Sequence, residues 1–261
     1  RPRRRMAQLF RDGDLQPRQI AIRSIQIVSK LQTNWVTFDC YGTLIDWQGG
    51  VQDTLREILR RRGLDVDEGR FFHDWEQAQW DRIQRAYAPY RKIVAGSFLQ
   101  VAKSYSLPLT PPEADEFAAA IARWKPFPDV PKALKSLSRR LRLGIISNID
   151  DDLLAGSVAQ MGVEFDWKVT AQQARAYKPS DKPFRLALEQ MQLSPSLVAH
   201  AAFGFEYDLG PAATVGFRTI LVRRGRTQFP PQPVPDLIVS DLTELANAFG
   251  LLERAEAAHP P

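Results

Sequence analysis

The most informative stretch of this sequence is WVTFDCYGTL, at residues 35–44. Its first four residues are aromatic or β-branched, a composition typical of a buried strand. The strand pattern ends at Asp39, and Gly42 then supplies a residue suited to a tight turn. The stretch therefore predicts a carboxylate at the end of a buried strand, followed at once by a turn.

Two kinds of sequence follow this stretch. Residues 49–124 contain few strand signals and repeat apolar side chains at helical spacing, which predicts four helices. From residue 126 onward, strand and helix patterns alternate, as in parallel sheets that helices cover on both faces. We predict an α/β fold in which a Rossmann-like parallel-sheet core carries an inserted helical cap domain.

The predicted domain boundaries follow from this division. The core takes residues 34–48 and 126–250, and the helical cap takes residues 49–125 between them. Residues 1–33 form an N-terminal extension, and residues 251–261 form a C-terminal tail.

Composition and charge exclude several classes of protein. The 261 residues are 44% hydrophobic, which is enough for one sizeable core. Four arginines among the first five residues supply much of the net charge of +5, and the rest of the chain is nearly balanced. Because no basic stripe is interleaved with aromatic residues, we expect no nucleic-acid partner. No apolar stretch reaches the roughly 20 residues of a membrane helix, so we expect no membrane partner either. Cys40, the single cysteine, excludes an intrachain disulfide and fits a cytoplasmic location.

Four polar clusters follow predicted strands and should meet at one edge of the sheet, where such sheets bind ligands. They are Asp39 with Thr43, Ser147 with Asn148, Lys178, and Asp208. We interpret Asp39 as a nucleophile that Lys178 keeps ionised, with Asp208 positioning either that lysine or a hydrolytic water. Thr43, Ser147 and Asn148 would orient the substrate and stabilise charge on oxygen.

Each cluster also has an ordinary structural interpretation. Asp39 and Asp208 are common residue types in turns and at helix N-termini, and Ser147 with Asn148 suits a helix N-cap. Lys178 precedes a proline and would be equally at home in a solvated loop. The order and spacing of the four clusters together favour a catalytic site.

These clusters resemble the four motifs of the haloacid dehalogenase superfamily. The matching stretches are FDCYGTL at 38–44, ISN at 146–148, YKP at 177–179 and DLGPA at 208–212. The helical segment after the first motif has the position and size of the family's cap. The resemblance covers roughly residues 35–245 and implies a Rossmannoid core, a mobile cap and an active site between them.

Two positions distinguish this chain from the phosphatases of that superfamily. Tyr41 stands where most phosphatases have a second aspartate, and a phenol with a pKa near 10 is a poor general acid. Phe203 stands where they have a magnesium-binding aspartate, and its side chain cannot bind a hard cation. Tyrosine at the first position is similar to the 2-haloacid dehalogenases, in which an aspartate displaces halide from carbon and water then hydrolyses the ester.

This resemblance implies a small-molecule carboxylate substrate and neither metal ion nor other cofactor. Three alternatives stay open: hydrolytic opening of azetidine-2-carboxylate, a magnesium-dependent phosphatase, and a non-catalytic binding protein. A homodimer is also left open.

The substrate-binding positions depart from the haloacid dehalogenase pattern. The family's cap arginine has no clear counterpart, and Arg82, Arg85 and Arg91 are the candidates to replace it. Phe184 stands where the family has a tyrosine.

A longer signature, DCYGTLIDW at 39–47, resembles a subgroup that neighbours azetidine-2-carboxylate hydrolase. We expect Tyr41 and Trp47 to contact the substrate. Trp47 would pack against a small ring or a cationic group of the substrate. The alternative for Trp47 is that it packs the hinge between core and cap.

Overall fold

The computed structural model describes residues 33–225 and 234–251. Nearly all of the predicted N-terminal extension and of the predicted C-terminal tail therefore lies outside the described residues.

A parallel sheet forms the centre of the molecule. Six strands belong to it within the described ranges: β1 (Trp35–Phe38), β2 (Arg142–Ser147), β3 (Trp167–Thr170), β4 (Val198–Ala202), β5 (Arg218–Val222) and β6 (Leu237–Val239). Their order is β3-β2-β1-β4-β5-β6, and every neighbouring pair is parallel. The predicted Rossmann-like α/β fold is confirmed.

The strand order changes direction at β1, which lies between β2 and β4. At the carboxyl ends of β1 and its two neighbours, the loops that leave the strands therefore diverge and create a crevice, as in other open parallel sheets. Asp39 follows β1, Ser147 ends β2, and Asp208 lies shortly after β4. The topology thus brings three of the four predicted polar clusters to one place.

Four of the helices between β1 and β2 lie where the sequence predicted a cap. They are α1 (Trp47–Arg62), α2 (Glu68–Ile83), α3 (Tyr90–Ser104) and α4 (Pro111–Ala120). The first helix begins two residues before the predicted boundary because the Asp46 carboxylate caps it, accepting a hydrogen bond from the Gly49 amide at 3.1 Å. We call residues 47–120 the helical insert.

The chain enters and leaves the insert along two adjacent segments. Asp46 N donates to Lys125 O at 3.0 Å, and Phe127 N donates to Leu44 O at 3.0 Å. Apolar side chains of the insert, such as Trp75 and Phe117, belong to the same buried cluster as the side chains of β1 and β2. The insert is therefore joined to the core both by these two hydrogen-bonded segments and by continuous packing of apolar side chains.

The remaining helices cover the sheet. They are α5 (Val130–Leu137), α6 (Asp151–Ala159), α7 (Ala171–Ala174), α8 (Lys182–Met191), α9 (Gly210–Val215) and α10 (Leu242–Ala248). A π-helical turn, Phe205–Leu209, precedes α9 and carries Asp208. No helix within the described residues is long and apolar enough to cross a membrane.

Candidate active site

Asp39 lies at the carboxyl end of β1 and is 5% exposed. Its Oδ1 accepts a hydrogen bond from Lys178 Nζ at 2.9 Å, and its Oδ2 accepts one from Thr43 Oγ1 at 2.8 Å. Thr43 reaches back to Asp39 because the intervening loop is tight, with Leu44 N donating to Cys40 O at 2.7 Å. Both carboxylate oxygens therefore have fixed partners.

Gly42 makes this tight loop possible. Its φ of +92° lies in the left-handed region, and a Cβ at this position would lie 2.3 Å from the Phe203 ring. The glycine thus lets the loop after β1 pack directly against the residue that follows β4.

Lys178 is the central cation of the site and is 1% exposed. Its Nζ donates to Asp39, to Asp208 and to Ile146 O, the last at 2.9 Å. The Asn148 side chain fixes the lysine backbone, since it accepts from Lys178 N at 2.7 Å and donates to Lys178 O at 3.0 Å. All three ammonium protons therefore have acceptors, and the lysine is rigidly placed between two carboxylates.

Asp208 is fully buried on the π-helical turn. Its Oδ1 accepts hydrogen bonds from Lys178 Nζ and from His200 Nε2, the second at 3.2 Å. Its Oδ2 has no hydrogen-bond partner among the described residues. The predicted link between Asp208 and Lys178 is present in the structure.

The pKa values of the two carboxylates, Asp39 and Asp208, are shifted in opposite directions. Burial raises the pKa of Asp39 to about 6, although the neighbouring Lys178 opposes this shift. Burial also acts to raise the pKa of Asp208, but Lys178 and His200 outweigh it and the net pKa is lowered. Burial acts to lower the pKa of Lys178, and the two carboxylates outweigh it, so the net pKa is raised. Near neutral pH the site therefore holds an ammonium between two carboxylates.

A cavity of about 290 Å³ opens over Asp39 between the core and the insert. The predicted residues that line it are Asp39, Tyr41, Trp47, Ser147, Asn148 and Lys178. Ser147 Oγ and Trp47 Nε1 are buried polar atoms without a partner among the described residues, which suits contact with a bound molecule.

Two predicted residues lie behind this cavity. Thr43 is fully buried and does not line the cavity. The geometry therefore does not support its predicted role as a substrate contact. Thr43 Oγ1 instead donates to Asp39 and accepts from Phe203 N at 3.1 Å. Asp208 is likewise absent from the lining. We call Asp39, Thr43, Lys178 and Asp208 the catalytic floor.

Tyr41 lines the cavity, but its hydroxyl is engaged elsewhere. Tyr41 Oη lies 2.8 Å from Ser157 Oγ on α6, and burial raises the pKa of the phenol well above its ordinary value. The phenol therefore holds its proton too firmly to give it up near neutral pH and is tied to α6, so it does not suit the role of a general acid.

The opposite side of the cavity is formed by α2. Besides Gln79 and Ile83, four residues of this helix line the cavity at helical spacing, namely His73, Glu76, Gln77 and Trp80. We call them the insert wall. Glu206 from the core side also lines the cavity, whereas none of the described lining residues is an arginine.

The three candidate arginines lie elsewhere. Arg82 donates to Gly96 O and to Gln100 Oε1, and Arg91 forms an ion pair with Asp152. Arg85 lines a separate surface pocket. None of the three therefore replaces the cap arginine in this structure.

His200 is a buried residue of the site that the sequence did not single out. It is fully buried in β4, with Nδ1 3.0 Å from Thr37 Oγ1 and Nε2 bonded to Asp208. A signal was present, because a histidine interrupts the otherwise apolar strand VAHAA.

The donor groups around the floor do not resemble a metal site. The described residues contain no group of three or more His, Cys, Asp or Glu side chains arranged to hold a metal ion. Lys178 Nζ contacts both Asp39 and Asp208 directly, so an ammonium occupies the place between the carboxylates.

Comparison with known proteins agrees with this architecture. Haloacid dehalogenase-like hydrolases match residues 33–201 as a family. Haloacetate dehalogenase H-2 of Moraxella sp. (strain B) is 27% identical over 220 residues, 78% of this chain and 95% of that protein. (S)-2-Haloacid dehalogenase of Pseudomonas sp. (strain YL) is 26% identical over 223 residues, 82% of this chain and 93% of the relative.

A solved structure shows the same fold. The L-2-haloacid dehalogenase from Xanthobacter autotrophicus superposes with a TM-score of 0.73 at 23% identity, covering 85% of this chain and 100% of that one. The family match over residues 33–201 shows that the chain belongs to the haloacid dehalogenase-like hydrolases, and its relatives support the 2-haloacid dehalogenase-like branch of that family.

Proposed function

We propose that this protein is a metal-independent hydrolase that acts on a small 2-substituted carboxylic acid through an ester on Asp39. The observation that supports this most strongly is the buried contact of one ammonium, Lys178 Nζ, with both Asp39 and Asp208. Such an ammonium keeps a buried carboxylate ionised and fixed under the cavity without a metal ion.

The reaction takes two steps. First, an Asp39 oxygen attacks C2 of the substrate, the bond from C2 to the leaving group breaks, and the leaving group departs with the electron pair. Water then attacks the carbonyl carbon of the Asp39 ester, and the acyl–oxygen bond breaks. The alcohol oxygen takes one proton of the water and the second proton is released, so that a 2-hydroxy acid and the Asp39 carboxylate result.

Attack on carbon fits this site better than attack on phosphorus. An alkoxide leaving a phosphate needs a general acid, and Tyr41 is held by Ser157 with a raised pKa. A phosphoryl group also needs its charge neutralised, which a magnesium ion usually does. Phe203 stands at the position of the family's magnesium ligand. Halide leaves carbon without a proton, so neither group is required.

Halide is the leaving group that the relatives favour. The named proteins above are a haloacetate dehalogenase and a (S)-2-haloacid dehalogenase, and each aligns over more than nine-tenths of its own length. We therefore assign 2-haloacid dehalogenation as the leading activity.

A second candidate is hydrolytic opening of azetidine-2-carboxylate by the same nucleophile. The cavity lining favours it, because Glu76 and Glu206 add negative charge and Trp47 and Trp80 add aromatic faces. A protonated ring nitrogen suits such surroundings. That nitrogen leaves as a neutral amine, so it needs no proton from the protein.

A panel assay distinguishes these activities. Purified protein is given 2-chloropropionate, fluoroacetate and azetidine-2-carboxylate, and the release of chloride, fluoride and the open-chain amine is measured with and without chelator. Turnover that survives the chelator supports the proposal, and the preferred substrate names the leaving group. Magnesium-dependent hydrolysis of p-nitrophenyl phosphate, with no turnover of the three carboxylates, would show a phosphatase instead.

A further inference from the structure

A buried chain of polar side chains continues below the catalytic floor. His200 in β4 is opposite Thr37 in β1, and both lie inside the sheet. Thr37 Oγ1 is 3.0 Å from His200 Nδ1, and His200 Nε2 is 3.2 Å from Asp208 Oδ1. The chain therefore runs from Thr37 through His200 and Asp208 to Lys178 and the nucleophile.

The hydrogen bonds settle which nitrogen of His200 carries the proton. Burial lowers the pKa of His200, so the ring is neutral near pH 7. The ionised Asp208 only accepts hydrogen bonds, so Nε2 must be the protonated nitrogen. Nδ1 is then an acceptor, and Thr37 Oγ1 must donate to it. The competing acceptor, Ala199 O, lies at a longer 3.4 Å from Thr37 Oγ1.

Two phenylalanine rings hold the imidazole in this orientation. Phe184 on α8 meets it edge to face at 5.2 Å between ring centroids, and Phe217 does so at 6.4 Å. Phe184 occupies the position where the family has a tyrosine. The ring therefore has two polar contacts in its plane and aromatic packing around it, which leaves it little freedom to rotate.

The consequence for Asp208 is specific. Its Oδ1 accepts from Lys178 and His200, and its Oδ2 has no partner among the described residues. Within the described residues, His200 is thus the neutral donor that fixes the carboxylate. Loss of that donor would leave a buried carboxylate dependent on Lys178 alone, and Lys178 also serves Asp39.

We propose that His200 is a positioning residue for the Asp39 reaction, whose Nε2–H holds Asp208 ionised and oriented toward Lys178. The inference rests on the proposed function for its effect on the reaction. His200 does not line the cavity, so it acts through Asp208 and not through the substrate. A histidine that only completed the core would give the same packing without affecting turnover.

The first test needs no substrate. The sequence contains three histidines, His73, His200 and His259, so ¹⁵N-histidine labelling gives few signals, and His200→Gln identifies the one of interest. We expect long-range ¹H–¹⁵N spectra to show a neutral ring protonated at Nε2 from pH 7 to 8. A cationic ring, or a neutral ring protonated at Nδ1, would overturn the proposed donation to Asp208.

The second test measures the reaction with whichever substrate of the three-carboxylate panel is turned over. His200→Phe removes the donor, and His200→Gln supplies an amide N–H at a similar reach. We expect His200→Phe to lower kcat by about 10- to 100-fold with little change in KM, and His200→Gln to recover much of the loss. We also expect the acidic limb of the pH–rate profile to move in His200→Phe and return in His200→Gln.

Thr37→Val keeps the side-chain shape and removes only the donor to Nδ1, so it covers the case in which His200→Phe does not fold. We expect this variant to lower kcat while retaining a native thermal transition. A native kcat in every folded variant of the pair Thr37→Val and His200→Phe would overturn the positioning role. If the native protein turns over none of the panel, the proposed function fails, whereas the histidine spectra still decide whether His200 holds Asp208.

Discussion

The catalytic floor and the insert wall face each other across one cavity and are built on different principles. The floor is buried, and its charged groups contact one another through short hydrogen bonds. The wall lies on one helix, and its residues are half-buried or exposed. Under the proposed function, the floor would carry out the reaction, a carboxylate attacking an electrophile, while the wall would select the substrate.

This division predicts that substitutions in the floor change kcat or stability, and that those in the wall change KM. The largest effect is expected for Asp39→Asn. The amide is a far weaker nucleophile, so turnover should fall by at least about 10⁴-fold. Initial rates with the preferred substrate test this, and circular dichroism of the same preparation checks the fold. Turnover within tenfold of the native rate would remove Asp39 from the mechanism.

Lys178→Met tests whether the floor depends on its central ammonium. The change leaves two buried carboxylates without their cation, which should lower the free energy of unfolding by about 3–5 kcal/mol. Activity should also be lost. The matched control is Lys182→Met, an exposed lysine on the neighbouring helix α8, for which we expect a change within about 0.5 kcal/mol. Equal stability of the two variants in urea titrations would contradict the buried ion-pair network.

Thr43→Val tests the pKa of the nucleophile. Since Asp39 must be ionised and its pKa is raised to about 6, kcat/KM should fall as the pH drops through this value. The Thr43 hydroxyl lowers that pKa by donating to Oδ2, so its removal should shift the acidic limb to higher pH. A pH–rate profile of both proteins measures the shift. An unchanged limb would mean that another group controls it.

Glu76→Gln probes the wall and should have the smallest effect. Removing one negative charge should lower KM for 2-chloropropionate by a few-fold if the substrate is simply anionic, and raise KM for azetidine-2-carboxylate if a cationic nitrogen binds there. In both cases kcat should change little. Glu57→Gln, an exposed glutamate on α1 outside this cavity, is the control. A large loss of kcat would place Glu76 among the groups that support the chemistry.

The floor could be predicted from sequence because its residues follow strand ends. Parallel strands bring their carboxyl ends together, so Asp39 and Asp208 of the floor, with Ser147 of the cavity lining, had to converge once the strands were recognised. The direction of each side chain was harder to predict. Thr43 turned out to lie behind the nucleophile, since the tight loop at Gly42 folds it back.

The wall and His200 show where sequence reasoning stopped. Helical spacing shows which side chains of α2 share a face, but it does not show which face meets the core. The roles of Arg82, Arg85 and Arg91 therefore stayed open until the structure placed them outside the cavity. His200 was missed because a lone histidine in an apolar strand has no pattern of its own, and its importance depends on Asp208 across a turn.

The central claim is that a substrate carbon becomes esterified to Asp39 and that water then attacks the carboxyl carbon of this residue. A single turnover in oxygen-18 water, with enzyme in excess over the preferred substrate, tests it directly. Peptide mass analysis should find one oxygen-18 atom in the peptide that contains Asp39, and the product hydroxyl should carry oxygen-16. Label in the product and none in the Asp39 peptide would mean that water attacks the substrate directly, and would contradict the account.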